Sequence, residues 1–291
     1  MNRSLKRFPP GIKEEARPEL QDQLTRLIVR VLLKHPELHY YQGYHDVAIT
    51  FLLVVGEEMG YHIMERLSIS HLREFMAPTM EKTTYLLNYM YPIVSRVRFP
   101  ASERISFKKL FPSQINHCSP ELHDFLDASE VGTIFALSWM ITWFGHVLPD
   151  YEDVVRLYDF FLAQPPLLPV YLAAALVLHR EQEVLLQECD LAMVHSLLSR
   201  IPVNLPFEKL LVDARELYED FPPKSLETDV KMRYEKTLRE QMERRRGVKK
   251  PPVPTNSGSN LKTLFSIAAI SAPVILGMIA YRYFYGAQDM M

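Results

Sequence analysis

At 291 residues and 48% hydrophobic content, the chain is long enough to bury one large core and has room for one or two ordinary domains. Lys plus Arg total 33 against 35 Asp plus Glu, and a formal charge of -2 excludes a global attraction to nucleic acid. Two cysteines, Cys118 and Cys189, form neither a disulfide framework nor a paired Cys-x-x-Cys metal site, which suits a reducing compartment.

In chain order, the opening MNRSLKRFPPG lacks the apolar core of a secretory signal, so the body is expected in the cytosol. Leu20, Leu24, Leu27, Ile28, Val31 and Leu32 recur at helical spacing until Pro36, which predicts a first amphipathic helix. LHYYQGYHDV, residues 38–47, then interrupts the apolar pattern with polar and aromatic residues at a helix start. Further helices are expected over 43–59, 64–75, 79–97, 133–147, 151–163, 168–186, 191–200 and 206–219. Gly numbers only 10, and Asn-Gly and Asp-Gly hairpin dipeptides are missing, so the fold class is all-α. The stretch 133–144 is apolar nearly all round, which predicts a helix in the middle of a thick bundle.

The body is expected to end at Phe221-Pro222-Pro223, giving a domain over 1–225. After it, 226–250 carries 9 basic and 5 acidic side chains with Glu227/Lys231, Glu235/Arg239 and Glu240/Arg244 at i,i+4, the pattern of a solvated stalk. PPVPTNSGSN, 251–260, has linker composition, so 226–260 reads as stalk and linker. Residues 263–281 then run without a formal charge between Lys262 and Arg282, about 28 Å of helix against a roughly 27 Å hydrocarbon core. Tyr281, Tyr283, Phe284 and Tyr285 follow as an interfacial belt, so 261–285 is expected to be one transmembrane helix in the lipid bilayer. The competing reading is a buried core helix containing Pro273 and Gly277. Arg244, Arg245, Arg246, Lys249 and Lys250 serve either as a topology signal or as contacts for anionic headgroups.

The sequence contains no P-loop, Gly-x-Gly-x-x-Gly or Gly-x-Ser-x-Gly, so any nucleotide it acts on must be held by another protein. Two polar constellations stand out. Gln42 before Gly43 reads either as a turn amide or as a functional one, and Arg156 with Asp159 reads by itself as an i,i+3 ion pair.

Tyr40-Tyr41-Gln42-Gly43, followed by LSWMITWFGHVLPDYEDVVRLYDFFL, resembles the signatures of the TBC domain, a helical fold that activates Rab-type small GTPases. The order and spacing of the blocks match from about Arg3 to Phe221, and with the C-terminal anchor the arrangement resembles an endoplasmic reticulum member of that family. The resemblance implies a multi-helix TBC-type domain that is not itself an enzyme. It implies that Arg3 and Gln42 act in trans as arginine and glutamine fingers on a Rab-family GTPase, in early secretory traffic. It places Tyr40, Tyr41, Gly43 and Asp46 at the partner surface, and Arg156 and Asp159 as a pair that braces the core. No cofactor or metal of its own is implied, since GTP and Mg belong to the GTPase, and the location implied is the endoplasmic reticulum membrane with a cytosolic domain.

Two departures accompany the match. The aspartate of the family's Ile-x-x-Asp-x-x-Arg motif would fall upstream of Met1, which leaves Arg3 on a chain end without its helix and the domain shortened. RFPASERISFKKLFPSQINHC, 98–118, reads as an inserted loop. Two other function classes compete: a catalytically weak binding or scaffold protein of the same fold, and a helical metal phosphohydrolase using His45-Asp46 with His35, His39 or a distant carboxylate.

Overall fold

The structure, a computed structural model, describes Phe8, residues 12–97 and residues 120–247. Arg3, the 98–118 segment and the 261–285 helix expected from the sequence therefore lie outside the described residues. One compact unit covers residues 1–242; of the second, 243–291, only the helical residues to Gly247 are described. All regular structure among the described residues is helical, in accord with the expected class.

After a 3-10 turn at Glu14–Ala16, α1 runs Arg17–Lys34, with Pro18 in its first turn where a missing N–H costs nothing. Leu24, Leu27, Ile28 and Val31 are buried on one face, as the spacing predicts. α2, Tyr44–Ile69, is broken at Gly56, whose φ of 78 and ψ of 176 are non-helical. A Cβ on Gly60 would lie 3.5 Å from the backbone of Leu52, and the Tyr44 hydroxyl sits 2.7 Å from Ser68 Oγ. Residues 44–55 and 57–69 are thus antiparallel limbs of a hairpin that turns at Gly56. By length and composition this helix is apolar enough to cross a membrane, but the reversal and the buried limbs make it core. The sequence placed the break between 59 and 64 and carried the second helix to Phe75; helix instead ends at Ile69 and gives way to turns. Arg26–Glu57, Arg30–Glu58 and Lys34–Glu65 ion pairs at 2.7, 2.8 and 2.8 Å line α1 against the second limb.

The helix expected over 79–97 is two, α3 (Glu81–Leu87) and α4 (Met90–Arg96). Pro92 has no N–H for the Asn88 carbonyl, and the Asn88 side chain takes the Thr84 carbonyl at 2.8 Å, so the helix stops and restarts. α5 is Pro120–Ala128. The expected central helix over 133–147 is a further correction. It comprises a 3-10 turn at Ile134–Ala136 and a short α6, Leu137–Ile141, and then Trp143 and Phe144 take φ of 46 and 63 and turn the chain. Phe135, Ala136, Trp139, Met140, Trp143 and Phe144 are buried as foreseen, with Trp139 and Phe144 stacked 5.8 Å apart, but Ile134 is 58% exposed, and it is side-chain packing that sets the backbone.

α7 (Tyr151–Leu162) buries Val154, Leu157, Tyr158 and Phe161. α8 (Leu168–His179) is buried from Leu168 through Val177 and is the all-round apolar core helix, against which α4 and α11 pack. It stops short of the expected Leu186, because Arg180 leaves helical geometry and a separate α9, Glu181–Leu185, follows. The Arg180 side chain is buried and donates to the Leu197 and Arg200 carbonyls at 3.0 and 2.7 Å, closing the C-terminal end of α10 (Leu191–Leu198). At the other end of α10, Asp190 caps the Ala192 and Met193 amides.

α11 is Phe207–Asp220 and α12 is Pro223–Gly247. The expected solvated stalk is in its first turns a docked helix. Leu226 and Val230 are fully buried, Arg96 pairs with Asp229 at 2.6 Å, and Arg233 pairs with Asp127 at 2.6 Å while lying 3.2 Å over the Tyr91 ring. That pairing holds Asp127 below the usual carboxylate range against the opposing effect of its burial.

Candidate functional site

The chain between α1 and α2 makes a tight turn around Gln42. Tyr44 N–H donates to the Tyr41 carbonyl at 3.2 Å and Asp46 N–H to the Gly43 carbonyl at 3.0 Å, so Gly43 sits at the N-cap of α2. Its φ of 115 is open to glycine and strained for other residues, and a Cβ there would lie 3.0 Å from Thr142 Cγ2 and 3.3 Å from the Ile141 carbonyl. The turn is therefore seated directly on the end of α6. The sequence pointed to Gly43 as a partner contact; the structure buries it beneath Gln42, which is exposed.

Aromatic rings anchor the turn from below and beside it. Tyr41 packs edge-on against Tyr44 at 5.8 Å and Phe75 at 6.1 Å. Its hydroxyl is buried with no partner among the described residues, and burial pushes its pKa well above the ordinary value, with Tyr44, Tyr158 and Asp46 adding to the shift. Burial likewise pushes Tyr44 up to about 12, partly offset by its hydrogen bond to Ser68. Both phenols stay neutral at physiological pH. Tyr41, expected at the partner surface, is mostly an internal anchor. Tyr40 is the more exposed of the pair, at 47%, and its hydroxyl lies 2.7 Å from His45 Nδ1. Asp46 is partly buried in the first turn of α2, its Oδ1 3.7 Å from His45 Nε2. Behind the seat, the Tyr158 hydroxyl donates to the Thr142 carbonyl at 2.8 Å and so ties α7 to the same spot.

Gln42, Tyr40, His45 and Asp46 are thus gathered in one place, while Arg156 and Asp159 are not part of it. Arg156 grips Glu208 of α11 through Nε and Nη2 at 2.9 and 3.0 Å, and Asp159 stands 3.9 Å off and 82% exposed. The brace is a surface clamp between α7 and α11, and its main acid is Glu208, which sequence spacing could not identify across 52 positions. Ile141 and Thr142 were also missed, since no local pattern marks a residue as a seat for a distant glycine. His45 carries the Tyr40 contact and His35 lies 3.0 Å from Glu65 Oε1; among the described residues no group of three His, Cys, Asp or Glu could hold a metal ion. Nothing there supports the metal-phosphohydrolase reading.

This chain belongs to the Rab-GTPase-TBC domain family, whose model matches residues 1–186. It is similar to TBC1 domain family member 20 of Homo sapiens, 54% identical over 226 residues that make up 78% of this chain and 51% of that protein. The GTPase-activating protein gyp10 of Schizosaccharomyces pombe is 32% identical over 212 residues, 72% of this chain and 51% of its own length. GTPase-activating protein GYP8 of Saccharomyces cerevisiae is 29% identical over 141 residues, 46% of this chain and 27% of its own. The chain spans about half the length of the first relatives it matches. The family resemblance read from the Tyr40–Gly43 block and the 137–162 block holds.

Proposed function

We propose that this chain is a GTPase-activating protein for a Rab-family small GTPase, with Gln42 as the glutamine finger. The observation that carries the reading is the Gln42 turn: an exposed glutamine on a backbone held by the partly buried Tyr41 ring and by the seat of Gly43 on Ile141 and Thr142. A primary amide suits the task because its carbonyl accepts from an attacking water while its NH2 donates to a phosphate oxygen, without adding charge. A rigid backbone spares the encounter the entropy of ordering that amide. The names of the yeast relatives as GTPase-activating proteins point the same way.

Arg3 is the proposed arginine finger, offsetting charge that grows on the phosphates. Phe8, buried in the core, supports a short tether for it: five residues reach at most about 17 Å when extended. GTP and its Mg2+ come with the partner, so the chain supplies only residues in trans. The 261–285 segment is proposed as a single span in the endoplasmic reticulum membrane, with the domain on the cytosolic side and a role in early secretory traffic. Attachment acts by concentrating the domain near a membrane-bound GTPase.

The test is single-turnover GTP hydrolysis by a panel of Rab proteins with and without the chain. Acceleration of at least one Rab is expected, and Gln42→Ala is expected to remove most of it while the GTP-bound Rab still binds. Full activity of Gln42→Ala refutes the glutamine assignment; binding with no acceleration of any Rab leaves a scaffold. Deleting 261–291 is expected to release the protein to the cytosol with solution activity retained, and fractionation with solution kinetics reads both.

A further inference from the structure

Gln42 lies in a stretch whose two ends meet through side chains. Tyr40, on the entry to the turn, places its hydroxyl 2.7 Å from Nδ1 of His45, and the two ring planes lie 17° from parallel with centroids 6.4 Å apart. His45 stands in the first turn of α2, next to Asp46, whose amide is held by the Gly43 carbonyl. The side-chain contact therefore closes a second, wider ring of chain, residues 40–45, outside the 3.2 Å backbone bond from Tyr44 N–H to the Tyr41 carbonyl that closes the turn itself. We propose that the Tyr40–His45 pair is a tether that fixes the Gln42 turn in the geometry needed for hydrolysis, making both side chains positioning residues for the Gln42 amide. The inference rests on the reading of Gln42 as the glutamine finger.

The chemistry of the pair fits that role. With the imidazole proton on Nε2, turned towards the Asp46 carboxylate 3.7 Å away, Nδ1 accepts and the Tyr40 hydroxyl donates. The carboxylate favours that tautomer, and the tautomer keeps Nδ1 available for Tyr40. The two rings are joined end to end through this bond with their planes nearly parallel, so rotation of the entry segment about the turn has to break it. Fixing the turn before the GTPase arrives removes a search that would otherwise accompany each encounter. The effect belongs on the rate of the bound complex rather than on its formation. The exposure of Tyr40 raises a rival role, direct contact with the partner, which would appear in binding instead.

The experiment compares the full 291-residue chain in detergent with Tyr40→Phe, His45→Ala, His45→Asn, the Tyr40→Phe/His45→Ala double variant and Gln42→Ala. Tyr40→Phe and His45→Ala are each expected to lower the saturated single-turnover rate roughly three- to tenfold, the worth of one net hydrogen bond, with the half-saturating concentration unchanged. The double variant should be no slower than either single, since both break one contact. Asn places Oδ1 where His places Nδ1, so His45→Asn is expected to restore the rate. Amide hydrogen exchange at Gly43, Tyr44 and Asp46 should quicken in Tyr40→Phe and return to normal in His45→Asn, with the melting temperature unchanged. A normal saturated rate in Tyr40→Phe, a defect confined to half-saturation, or a slow His45→Asn variant that melts normally each overturns the tether. Full acceleration by Gln42→Ala instead overturns the finger reading, and the exchange measurement still tells whether the turn was tethered.

Discussion

Replacing Gly43 with alanine tests the seat of the Gln42 turn, and the geometry sets the size of the effect. Two costs arise. At φ 115 an L-residue occupies a sparsely populated backbone region, which costs on the order of 1–3 kcal/mol. The new Cβ also meets Thr142 Cγ2 at 3.0 Å and the Ile141 carbonyl at 3.3 Å, an overpacking worth about 1–3 kcal/mol. Together they predict a loss of about 2–6 kcal/mol in stability or an equivalent displacement of the turn. Thr142→Ser separates the two contributions, because it deletes Cγ2 and keeps the hydroxyl that donates to the Ser138 carbonyl at 2.7 Å. In a double-mutant cycle read by urea unfolding, Thr142→Ser should recover about 1 kcal/mol of the Gly43→Ala loss and leave the backbone part. GTPase activation should fall in Gly43→Ala with Gln42 intact. A Gly43→Ala protein within about 0.5 kcal/mol of the parent, or a cycle with no coupling, would refute the seat.

Two further predictions concern the frame. Glu65 accepts from Lys34 at 2.8 Å and lies 3.0 Å from His35, and these contacts, Lys34 first, hold its carboxyl at about 2 against an ordinary value near 4.5. A depressed carboxylate stabilises the fold above its ordinary value and loses that contribution as pH falls from about 4.5 towards 2. The stability gap between the parent and Glu65→Gln should therefore be widest near neutral pH and close through that window; thermal melts across the range check it, and a constant gap contradicts it. Leu226→Ala should cost about 2–5 kcal/mol by chemical denaturation if α12 is docked, whereas a free stalk would register almost nothing.

The legibility of this fold in its sequence depends on how local each cause is. α1 was legible because Leu24, Leu27, Ile28 and Val31 share a face and Pro36 stops the pattern. The reversal at Gly56 was not, since an isolated glycine such as Gly56 is tolerated in a helix and the close approach of Gly60 to Leu52 comes from tertiary packing. In α12, Leu226, Val230 and Tyr234 form a stripe at i,i+4,i+8, but the surrounding charges dominated the reading of that segment. At the site the same division holds. Gln42 and Gly43 are adjacent and were singled out together, while their seat at Ile141 and Thr142 lies about a hundred positions on and the clamp on Arg156 comes from Glu208.

The left-handed pair Trp143–Phe144 gives this protein a built-in optical reporter. The chain has only two tryptophans, and both are buried: Trp143 in this turn and Trp139 in α6 just before it, stacked on Phe144. Trp143 follows Thr142 in the chain and meets the Tyr158 ring edge-on at 5.6 Å, the same tyrosine whose hydroxyl holds the Thr142 carbonyl. Positive φ at two bulky residues costs roughly 1–2 kcal/mol each, so the turn persists only while its rings are packed. Intrinsic emission from this chain accordingly reads the wall behind Gln42 rather than the helices at large. During refolding it should change after the far-ultraviolet signal, and if the proposed function holds, a GTPase that presses on the Gln42 turn should shift it without any label attached.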